Sequence, residues 1–334
     1  VTIGVLPSDT AMALPFAIAM LALLAGSAYV SPAGVAASPL AAVLLVAVLF
    51  DWPAADAPID PKYYFGAAPN LIRLPEALAS FLWFAVLAAG ALAATAIATL
   101  WARPRLPIRT TGLFALGACA APLLALAVAY LRVTQFGTGI GFTFAGAVLA
   151  VGFAVLASRF LDREASLPGL AARIPTGAFA AAAIAALAIA LVAGLERGYL
   201  TVAFALAAAG TAYISARRDI PTLRYMVSGL GLVVLGRVVW DPRIMGADLG
   251  DTPILNWLLL GYGVPAAAFW FASHVLRKRR EDLASHLSDA LAIIFTALLG
   301  VFQIRHFVFG GDPLASGANH LEMGLLAVLF LGLS

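Results

Sequence analysis

Residues 79–101 read ASFLWFAVLAAGALAATAIATLW, a run without a single charge. At about 1.5 Å of rise per residue, a helix of this length covers about 35 Å, enough for a hydrocarbon core of about 30 Å. Polar and apolar residues do not alternate along it, so a barrel strand is excluded. A helix is then the structure that satisfies its backbone groups in lipid.

Working outward, similar runs recur along the whole chain. The reading places membrane segments at 11–30, 38–50, 79–101, 112–131, 139–159, 176–195, 199–215, 225–240, 253–276, 287–308 and 320–334. The expected fold is an all-α, polytopic transmembrane bundle of about eleven segments, forming one multi-spanning domain over 1–334. Segment 38–50 is short for a full crossing and fits a tilted or re-entrant element. Composition agrees: of 334 residues 63% are hydrophobic and only 11% charged, where a soluble domain carries about a quarter. The chain starts at Val1, without an initiator Met or a basic leader, and stops at Ser334 inside an apolar run. It therefore reads as part of a longer polypeptide.

A formal charge of +3 would suggest nucleic acid in a soluble protein. Here the basic residues sit in short loops, where they report topology and make nucleic acid an unexpected partner. Arg103, Arg105 and Arg109, then Arg159, Arg163 and Arg173, then Arg217, Arg218 and Arg224, then the run Arg277 to Arg280 alternate with poorly basic loops. The positive-inside rule places this richer set in the cytoplasm and the start of the chain outside. Outer loops then fall at 51–78 and 241–252. The expected location is the bacterial cytoplasmic membrane, because outer-membrane spans are barrels.

Cys119, the single cysteine, lies within an apolar run, so no disulfide framework is available and the thiol reads as inert. The string GTGIGFTFAGAVLAVG (137–152) has glycines, yet without a preceding strand it cannot cradle a nucleotide. Its Gly137-x3-Gly141 and Gly141-x3-Ala145 spacings suit close helix packing instead. No cofactor or metal is expected from these patterns.

The charges near the outer membrane boundary require partners, because charge within a span is costly. Arg237 stands four residues before Asp241, on the same helical face. Arg305 and His306 lie just below the Gly310-Gly311 break, and His320 and Glu322 open the next segment at the same depth. With Asn256, these residues form a candidate outer-face polar cluster. It reads as a structural ion-pair network, as a site for a lipid phosphate or carboxylate, or as a metal site of His306, His320 and Glu322. The last is disfavoured, since residues two apart do not share a helix face.

The stretches Asp241-Pro242, Asn256-Trp257-Leu258, Gly261-Tyr262-Gly263-Val264-Pro265 and Ile304-Arg305-His306-Phe307-Val308 resemble the large bacterial predicted membrane proteins of domain of unknown function 2339. The resemblance runs over about 230–325; upstream, the chain is similar only in being Ala/Leu-rich and multi-spanning. It implies an integral membrane protein, part of a longer chain, and transfers no catalytic residue.

Two functional classes follow. One is a non-catalytic scaffold, subunit or transport-type protein whose outer cluster binds membrane lipids or other membrane-protein subunits. Gly261, Gly263 and Pro265, which interrupt segment 253–276, suit the transport variant. The other is a glycosyl- or acyl-transferase acting on a lipid-linked substrate, with Asp51, Asp56 or Asp60 of the 51–78 loop as base. Three aspartates among prolines also describe an ordinary solvated loop, so the reading leans to the non-catalytic class.

Overall fold

The computed structural model describes residues 36–52, 76–135, 137–164, 170–195, 197–217, 220–240, 256–317 and 319–333, with scattered positions between 19 and 30. Within them all regular structure is helical, with no strand. Contacts divide the chain into two compact units, 1–194 and 195–334.

Unit one holds α1 (Ala37–Asp51), α2 (Glu76–Ala102), α3 (Ile108–Thr134), α4 (Ile140–Glu164) and α5 (Leu170–Gly194). α3 is its centre, packing on α1, α2, α4 and α5, while α4 and α5 form the most extensive pair. Close approach is obtained through glycine. A Cβ at Gly146 of α4 would lie 2.9 Å from Ala190 Cβ and 3.0 Å from its backbone. Gly117 meets Ser38 as closely where α3 crosses α1. By contrast, Gly141 is exposed, and a Cβ added there would meet nothing within 4 Å. The expected Gly141-x3-Ala145 packing face is therefore turned outward, and the packing glycine is Gly146.

Unit two holds α6 (Arg197–Arg217), α7 (Pro221–Trp240), α8 (Leu259–Arg277), α9 (Leu283–Val308) and α10 (His320–Leu333). α8 packs on α6 and α9, α6 on α7, and α10 on α9. α8 opens with a π-helical turn, Leu259–Gly263, in which the Val264 amide donates to Leu259 O. Pro265 supplies a reason: it has no N–H for the carbonyl four residues back and its ring crowds that carbonyl, so a wider turn relieves the conflict. The expected interruption of this segment is thus a π turn within a continuous helix.

Among the described residues, eight helices, α2 to α9, are long and apolar enough to cross a membrane, where about eleven segments are expected over the whole chain. Ala37–Phe50 and His320–Leu333 are shorter apolar helices, and segment 11–30 lies largely outside the described residues. The 15 residues of α1 reach only about 22 Å.

Arginines close the helix ends. Arg132 Nη1 of α3 donates to Leu49 O, Phe50 O and Trp52 O at 2.6, 2.9 and 3.0 Å, covering the C-terminus of α1. Arg163 Nη1 of α4 donates to Trp101 O at 2.7 Å, at the end of α2. In unit two, Arg279 donates to Ala216 O near the end of α6, and Arg224 Nη2 to Leu276 O and Arg280 O at the end of α8. The last carbonyls of a helix lack internal partners and carry partial negative charge. A guanidinium from a neighbouring helix satisfies both needs at once.

Candidate functional site

The candidate cluster is built at the junction of α9 and α10. α9 ends in a Schellman-type turn: Gly310 is left-handed at φ 63°, and the Gly311 amide donates to His306 O at 2.9 Å. The loop then turns at Asp312, whose carboxylate accepts from the Leu314 amide at 2.9 Å. Asn319 caps α10 by accepting from the Leu321 amide at 3.0 Å.

Arg305 holds this loop together. Its Nε donates to Pro313 O at 2.7 Å and its Nη2 to Ala315 O at 2.5 Å. Its Nη1 pairs with Glu322 Oε1 in the first turn of α10, and its guanidinium lies 4.9 Å from the Phe309 ring centroid. The Glu322 side chain is only 6% exposed. A buried carboxylate is costly unless paired; here the cation and the positive N-terminus of α10 offset that cost. Glu322 Oε2 is buried without a hydrogen bond.

A second polar group lies against the start of α8. Asn256 accepts from the Leu258 amide at 3.1 Å, capping the helix. Its amide exchanges two 2.9 Å hydrogen bonds with the amide of Gln303 on α9. Asn256 Nδ2 also lies 3.4 Å from Nδ1 of buried His306. Tyr262 of the π turn is fully buried and packs on Phe302, ring centroids 4.9 Å apart.

Of the sequence candidates, the structure therefore joins Arg305 with Glu322, and Asn256 with His306. Arg237 donates from Nε to Thr201 Oγ1 of α6 at 3.1 Å. His320 is exposed at the start of α10. Among the described residues, no three His, Cys, Asp or Glu side chains gather as a metal-holding group. Asp241, Asp56 and Asp60 fall outside the described residues, and of Asp51 only the backbone is placed, as the last residue of α1.

Sequence reasoning passed over Gln303, although an amide inside an apolar segment is itself a signal. It also passed over the Asp282–Arg224 pair, with Nε to Oδ2 at 2.7 Å. Asp282 is the N-cap of α9 and forms a capping box with Ser285. The Arg224 hydrogen bond lowers its pKa below the ordinary value, against the opposing effect of desolvation. Asp289 of α9 pairs with Arg277 of α8.

No curated protein and no solved structure matches the chain. A match to one family does exist and covers residues 8–334, well beyond the region of resemblance in the sequence. The described spans agree with it: the chain belongs to the predicted membrane protein family DUF2339.

Proposed function

We propose that the chain is a non-catalytic scaffold, subunit or transport-type protein of the bacterial cytoplasmic membrane, and that the α9–α10 junction is its recognition surface on the outer side. The supporting observation is the engagement of Arg305 with Pro313, Ala315 and Glu322. A guanidinium held this way organises a loop, so recognition falls to the surface that loop presents. That surface is mixed: Phe307, Leu314, Leu321 and Met323 are exposed apolar groups, beside exposed Asp312, Asn319 and His320. Such a face suits a membrane-protein subunit or a lipid headgroup with its adjoining chain.

The orientation rests on the basic-residue bias of the loops. Native mass spectrometry of protein taken from its own membranes in mild detergent tests the proposal. A stoichiometric protein or lipid, retained by the wild type and lost from Arg305→Gln, is the expected result. Equal retention in both, or no retained partner in either, sinks it.

A further inference from the structure

Four candidate membrane spans meet at one end of unit two: α6 ends at Arg217, α7 begins at Pro221, α8 ends at Arg277 and α9 begins at Leu283. Two guanidinium groups tie these ends together. Arg279 donates to Ala216 O near the end of α6. Arg224 of α7 donates to Arg280 O at 2.8 Å and pairs with Asp282, the N-cap of α9. The connection 278–282 is thereby fixed against both α6 and α7. Two helix C-termini and two N-termini gather here, so their dipoles offset one another and the side chains set the sign of the charge.

That sign is positive. Asp282 is matched by Arg224, and Asp289 by Arg277. Among the described residues of these ends, Glu281 is left against Arg217, Lys278, Arg279 and Arg280, four cations to one acid, and all five are exposed. Arg218 and Asp219, outside the described residues, carry opposite charges and leave the balance as it is. The depth is that of a lipid headgroup. The Arg217 guanidinium lies 5.1 Å from the Tyr213 ring centroid. Tyr213 and Tyr225, each four residues inside its span, are 47% and 58% exposed, as interfacial tyrosines are. Leu283, 74% exposed at the start of α9, sets an apolar surface beside the charges.

We propose that this meeting of four helix ends is a docking surface for anionic phospholipid headgroups. It is separate from the α9–α10 junction and does not rest on the reading given to it. Lys and Arg clustered immediately outside a membrane span attract such headgroups. A free anion would use the cations alone, whereas a phospholipid also uses the adjoining tyrosines and Leu283.

The test uses the full chain, delipidated in mild detergent and titrated with phosphatidylglycerol or phosphatidylcholine under native mass spectrometry. Phosphatidylglycerol is expected to bind preferentially. Lys278→Gln and Arg280→Gln should each weaken it about fivefold, and Glu281→Gln, which removes the opposing acid, should strengthen it. Arg280→Lys keeps the charge and should keep most of the affinity. Arg109→Gln removes an exposed charge from unit one and should bind as the wild type does. Unchanged melting temperature in each variant confirms the fold. Equal binding of both lipids, or equal effects of the Lys278, Arg280 and Arg109 variants, would overturn the proposal. So would displacement of the lipid by a millimolar excess of inorganic phosphate, which would make the ligand a free anion.

Discussion

Arg305, in the last turn of α9, closes on Glu322, in the first turn of α10, and binds two carbonyls of the loop between them. The pair joins two helices at their shared end and gives that loop a fixed shape. The same economy appears at other ends, where a guanidinium from one helix covers the carbonyls of another.

The cap on α1 is open to direct measurement. Replacing Arg132 by Met leaves Leu49 O, Phe50 O and Trp52 O without their donor. A charge-assisted bond contributes about 1.5–3 kcal/mol, so α1 should loosen. Deuterium exchange over 37–52 is expected to rise, with little change in unit two.

Glycine at the α4–α5 contact gives a contrast between two positions five residues apart. Gly146→Val drives a side chain into the Ala190 backbone and should cost about 1–3 kcal/mol, read as a lower melting temperature in detergent. Gly141→Ala has open space around it and should leave melting unchanged.

These two glycines also show what is legible in the sequence. Segment class and most helix positions follow from apolar length alone, because lipid demands closed backbone bonding whatever the side chains. The inward face does not follow. In a soluble helix the polar face marks the outside, whereas lipid is as apolar as the core, so Gly141 and Gly146 look alike in sequence. Likewise the Arg305, His306, Glu322 neighbourhood follows from one hairpin, while the targets of Arg132 and Arg163 are distant carbonyls that no residue type announces. The expected start of α9, at 287, falls inside the helix, which begins at Leu283, because a basic run hides the Asp282–Ser285 capping box.

Asp282 gives the chain a pH dependence of defined sign. Its carboxyl is held below the ordinary carboxylate value, chiefly by Arg224. A depressed folded-state value adds stability above the unfolded value, and that stability is lost as pH falls through the folded one. Asp282→Asn keeps a capping oxygen but loses the charge. The melting difference between wild type and this variant should be largest at neutral pH and shrink as pH falls below the ordinary carboxylate range.

Gln303 and Asn256 exchange hydrogen bonds across α8 and α9. Gln303→Leu breaks both bonds to a part-buried amide and should cost about 1–3 kcal/mol. The loss should appear as faster deuterium exchange over the π turn, 259–263.

The most direct test is a double-mutant cycle on Arg305 and Glu322, read by melting in detergent and by deuterium exchange over 309–319. Arg305→Gln and Glu322→Gln should each cost about 2–3 kcal/mol, reduced from a fully buried pair because Arg305 is partly exposed. The double variant should cost at least about 1 kcal/mol less than the sum, and each single variant should expose the loop to exchange. Additive costs with an unchanged loop would contradict the account.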